Sequence, residues 1–79
     1  MTSQNIEQIV VDCLLAVAPD IERDEVSGDT DFRNDLDIDS VDYLNFIIKV
    51  SKKLECEIPE ADYGKFSTLD QAVSYLQSR

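Results

Sequence analysis

The chain has 79 residues, 17 of them acidic against 7 basic, no histidine, and a formal net charge of −10. That sign of charge argues against nucleic acid, whose phosphate backbone needs a basic surface, and against an anionic membrane. It favours basic patches on other proteins, which such a field steers towards the chain. The length allows one small domain over residues 1–79, and the 43% hydrophobic content separates it from disordered acidic chains.

In chain order, Ser3 is a candidate N-cap for a first amphipathic helix. Ile6, Ile9, Val10, Cys13, Leu14 and Val17 follow in steps of three and four, and Pro19 ends the pattern. From Asp20 to Asp39 the chain is a long acidic loop. Its isolated apolar residues (Ile21, Val26, Phe32, Leu36 and Ile38) are spaced to pin it, so the loop is expected to be ordered.

A second helix is expected from about Ser40 to Leu54, with Val41, Leu44, Ile47, Ile48, Ser51 and Leu54 on or near its apolar face. Pro59 starts a short element containing Ala61, Tyr63 and Phe66, with Gly64 as its stop. Thr68 and Gln71 form a capping pair for a last helix carrying Leu69, Ala72, Val73 and Leu76. Tyr43, Phe46 and Tyr63 read as core aromatics. The fold class is therefore all-α: a small four-helix bundle with three main helices, one short helix and a long first loop.

Cys13 falls on the apolar stripe of the first helix and Cys56 in a short connection before Pro59, which reads as two free thiols. The opening Met-Thr-Ser-Gln-Asn lacks the basic residues and apolar run of a signal peptide. No stretch reaches the roughly 20 apolar residues of a membrane span. A cytoplasmic location is expected.

The chemistry centres on Leu36-Asp37-Ile38-Asp39-Ser40-Val41-Asp42, where an acidic loop becomes a helix. Asp39 is a favourable N-cap and Asp42 stands at the capping-partner position, which puts the Ser40 hydroxyl in the first turn, facing solvent. A phosphate on that hydroxyl would meet the positive end of the helix dipole. With no histidine in the chain, Ser40 has no imidazole base to make it a hydrolase nucleophile. It reads as a serine to be modified, not one that catalyses.

Asp20 to Asp42 contains ten carboxylates against Arg23 and Arg33, a local charge of −8. Asp35-x-Asp37-x-Asp39 has the spacing that opens an EF-hand, but Ser40 and Phe46 stand where that loop needs Gly and Glu. Counting from Asp29 fails too, at Arg33, Asn34 and Ser40. No specific metal site is expected, only loose divalent binding that relieves repulsion.

These residues together resemble the acyl carrier protein family. The likeness runs from about Val26 to Leu76 through Phe32-x-x-Asp35-Leu36, Asp39-Ser40-Val41-Asp42, Ile58-Pro59 and Ser67-Thr68-Leu69. It implies a non-catalytic carrier: Ser40 would receive a 4′-phosphopantetheine arm from coenzyme A through a phosphopantetheinyl transferase. The arm would carry acyl groups as thioesters between enzymes of fatty acid, polyketide or related lipid biosynthesis. It further implies a monomer that docks basic patches of those enzymes through Asp39, Val41, Asp42, Asn45 and Ile48. The acyl chain would shelter among Phe32, Leu44, Ile47, Tyr63 and Leu69.

The chain departs from the usual family pattern at three places. Val41 replaces a leucine, Asn45 stands where a glutamate is common, and Lys49, Ser51, Lys52 and Lys53 occupy positions that are often acidic. The lysines read as a solvated face helped by the C-terminal dipole of the helix; the rival reading is a changed docking code. Tyr63 is a candidate for narrowing the acyl cavity. The alternative function is a carrier-like interaction module that binds partners without the arm.

Overall fold

Apolar residues at helical spacing bring three α-helices and two 3-10 turns around one core. The computed structural model describes residues 3–78, with side chains from residue 5 onward. The helices are α1 (Ser3–Val17), α2 (Ser40–Leu54) and α3 (Leu69–Gln77); 3-10 helices span Arg23–Glu25 and Glu60–Phe66. No strand is formed among the described residues beyond one isolated bridge between Asp31 and Thr68.

Helix α1 buries Ile6, Val10, Cys13 and Leu14, as its periodicity predicts, and also Val11, with Ile9 and Val17 at the edge. It packs against both α2 and α3, and the Glu60–Phe66 turn closes against α3. The cap predicted at Ser3 involves a side chain outside the described residues. Thr68 caps α3 as expected: its hydroxyl accepts the Gln71 amide at 3.1 Å. Both cysteines are free thiols, Cys13 buried and Cys56 partly so.

Two expectations need correction. Gly64 does not stop the short element, which continues to Phe66, and Gly64 is not in a left-handed conformation. A 3-10 turn needs only i to i+3 bonds, so Phe66 stays in it and carries a fully buried ring into the core.

Helix α2 also turns a different stripe inward from the one expected. Tyr43, Phe46, Ile47 and Val50 are the buried residues, whereas Val41, Leu44 and Ile48 are 66%, 42% and 39% exposed. Of the predicted apolar face only Ile47 is buried, with Ser51 and Leu54 half-buried at its edge. The physical reason is ring volume. Phe46 meets Phe32 edge-on at 5.4 Å between centroids, and lies 6.2 Å from Tyr43 and 6.5 Å from Phe66. Burying aromatic area outweighs burying the smaller aliphatic stripe. The aromatic default for Tyr43 and Phe46 holds, and Tyr63 packs at the core's margin.

The long loop is ordered and pinned much as its apolar residues imply. Phe32 and Ile38 are buried, and Ile21, Val26 and Leu36 pack against the core. Backbone bonds tie the loop to the start of α3: the Phe32 amide donates to the Ser67 carbonyl and the Asp70 amide to the Gly28 carbonyl, each at 2.9 Å. Its tail is therefore held firmly where α2 begins.

Candidate functional site

Asp37 takes a left-handed backbone, φ 55°, which turns the chain so that Asp39 enters α2 extended, φ −78° and ψ 173°. Aspartate is among the few residues that tolerate the first of these conformations. Asp39 then caps the helix, its carboxylate accepting the Asp42 amide at 2.8 Å. The capping pair is thus realised through the backbone of Asp42. Ser40 follows as the first helical residue and its side chain is exposed, as expected.

Ser40 also has a partner that its neighbours in sequence do not indicate. The Arg33 guanidinium donates from Nη2 to Ser40 Oγ at 3.1 Å. It also lies 5.7 Å from the centroid of the Tyr43 ring, within cation–π range. Tyr43 is itself fixed, its hydroxyl donating to the Tyr63 carbonyl at 2.6 Å. Burial pushes the Tyr43 phenol up from its ordinary value, the nearby Arg33 charge opposing this more weakly. The only sequence signal for Arg33 was its sign, one of two arginines in an acidic run.

Below Ser40, the exposed Val41, Leu44 and Ile48 form an apolar strip on the outside of α2. Asn45 and Lys49 are exposed on the same helix, and Asp42 is half-buried. Of the docking candidates, Asp39, Val41, Asn45 and Ile48 are therefore exposed and Asp42 is half-buried. Of the pocket candidates, Phe32, Ile47 and Leu69 are buried and Tyr63 is half-buried. Leu44 stands apart from them on the outer surface, for the packing reason given above.

The Asp31 and Asp35 carboxylates of the loop are engaged locally. Asp31 Oδ1 accepts the Arg33 and Asn34 amides at 3.0 Å each, and Asp35 Oδ2 accepts the Asp31 amide at 3.0 Å. Among the described residues, no three His, Cys, Asp or Glu side chains gather in a way that could hold a metal ion. What the arrangement offers is an exposed primary hydroxyl on a rigid helix start with a cation beside it. Such a hydroxyl is open to another enzyme, and a phosphate group placed on it would meet the amide donors of the helix start.

Comparison with known proteins agrees with this chemistry. Residues 8–76 match the family model described as "Phosphopantetheine attachment site". The chain belongs to the acyl carrier protein family. It is 33% identical over 78 residues to an acyl carrier protein of Lactobacillus johnsonii, covering 99% of this chain and 96% of that one. An acyl carrier protein of Lactobacillus acidophilus is 37% identical over 65 residues, covering 82% and 81%. The fold matches the solved acyl carrier protein of Enterococcus faecalis with a TM-score of 0.79 at 29% identity, over 99% of this chain and 98% of that one. The function is that of an acyl carrier with phosphopantetheine as its cofactor. In this family the bound arm supplies the thiol on which acyl groups travel.

Proposed function

We propose that Ser40 bears the 4′-phosphopantetheine arm and that this single domain, residues 1–79, works as a monomeric, non-catalytic cytoplasmic shuttle. The observation that carries the assignment is the exposed Ser40 hydroxyl at the capped start of α2 within the matched segment. A phosphopantetheinyl transferase loads it, and enzymes of fatty acid, polyketide or related lipid biosynthesis exchange acyl groups with the arm. Among the described residues no helix is long and apolar enough to cross a membrane.

Partners dock with basic rims around an apolar centre. Asp39 and Asp42 supply the charge, and Val41 and Ile48 supply apolar contact beside Asn45, with Leu44 now joining this outer surface. Phe32, Ile47, Tyr63 and Leu69 remain the candidates to line the space an acyl chain enters.

Intact mass tests the assignment. After incubation with coenzyme A and a broad-specificity transferase, the wild-type chain gains the mass of one arm and Ser40→Ala gains nothing. A wild type that stays bare leaves the arm-free interaction module as the better account, and an armed Ser40→Ala places the arm elsewhere.

A further inference from the structure

We propose that Arg33 holds the phosphodiester of the arm once Ser40 carries it, a role that rests on Ser40 being the attachment residue. The geometry begins with Nη2 at 3.1 Å from Ser40 Oγ, the atom that would become the ester oxygen. The non-bridging phosphate oxygens would then lie two bonds from Oγ. A guanidinium already in contact with Oγ meets them by a small rotation of its planar fork. Two parallel N–H donors match two phosphate oxygens, a geometry that lysine cannot reproduce.

The surroundings explain why Arg33 is available for this. It sits in a segment with ten carboxylates and one other arginine, yet among the described residues it forms no ion pair within 4 Å. Asp31 and Asp35, the carboxylates two residues to either side, accept backbone amides instead: Asp31 from Arg33 and Asn34, and Asp35 from Asp31. Arg23, the other arginine of the run, is paired with Asp12 on α1. Tyr43 braces the Arg33 guanidinium from below, and the bond to the Tyr63 carbonyl braces Tyr43. The consequence is electrostatic. A phosphodiester added to a loop of local charge −8 is repelled by it, and a guanidinium within contact distance offsets that repulsion where it is strongest.

The test uses the full chain as wild type, Arg33→Gln and Arg33→Lys, each armed from coenzyme A and checked by intact mass. The 31P resonance of the phosphodiester is then followed from low to high sodium chloride, alongside melting of the apo and armed forms. The wild-type resonance should move with salt as the pair is screened. In Arg33→Gln it should start near the wild-type high-salt position and barely move, with Arg33→Lys between the two. Arming should raise the melting temperature of wild type by roughly 2–4 °C more than that of Arg33→Gln, as fits one partly exposed charge pair. In 15N-labelled wild type, the Arg33 side-chain signals should shift on arming while those of Arg23 stay. An armed wild type whose phosphorus resonance ignores both salt and substitution overturns the role of Arg33 and leaves Ser40 intact. A wild type that takes no arm overturns both.

Discussion

Truncating Phe46 and Leu44 separately tests which stripe of α2 holds the molecule together. Phe46 is fully buried and contacts the Phe32, Tyr43 and Phe66 rings, so Phe46→Ala removes a whole ring and leaves a cavity walled by other rings. Such changes cost about 3–5 kcal/mol. A domain of this length has a total stability of about 4–12 kcal/mol, so the variant should be barely folded or unfolded. Leu44 is 42% exposed and opens no enclosed cavity, so Leu44→Ala should cost about 1 kcal/mol or less. Urea unfolding followed by circular dichroism measures both, and Phe46→Leu, at about 1–2 kcal/mol, gives a folded intermediate case. Equal losses at 44 and 46, or a larger loss at 44, would refute the inward face described for α2.

Other expectations are open to simpler assays. Asp39→Ala removes the α2 cap and should lower stability by about 1 kcal/mol, or roughly 4–8 °C in melting temperature, with Asp39→Asn losing less. Iodoacetamide followed by peptide mapping should label Cys56 well before Cys13, because Cys13 is buried and its burial pushes the thiol above the ordinary value. Cys13 and Tyr43 both hold their protons more tightly folded than unfolded. Their contribution to stability is therefore complete below the ordinary values of 9.0 and 10.0 and is lost as pH rises through the higher folded values. Melting temperature should fall above about pH 9–10, less steeply in Tyr43→Phe; a flat profile to pH 11 contradicts this. Sodium chloride or magnesium should raise the melting temperature by screening the loop carboxylates, and indifference to ionic strength would count against that account.

Much of this molecule is determined locally, and so was legible in the sequence. The α1 stripe, the Asp39 and Thr68 caps and the exposed serine each follow from residues within a turn or two of one another, where spacing and side-chain chemistry suffice. The pins Phe32 and Ile38 are legible too, since isolated apolar residues in a charged loop have little else to do. Helix α2 was different. Its residues 41, 44 and 48 and its residues 43, 46, 47 and 50 both recur at helical spacing, and periodicity cannot say which set turns inward. Only the rings arriving from the loop and from the Glu60–Phe66 turn decide it, by enclosing Phe46 and leaving Val41, Leu44 and Ile48 outside. The Arg33 contact is a matter of the same kind. A charge seven residues from Ser40 carries no periodic signal, and what aims it at the hydroxyl is the fold of the loop over the Tyr43 ring.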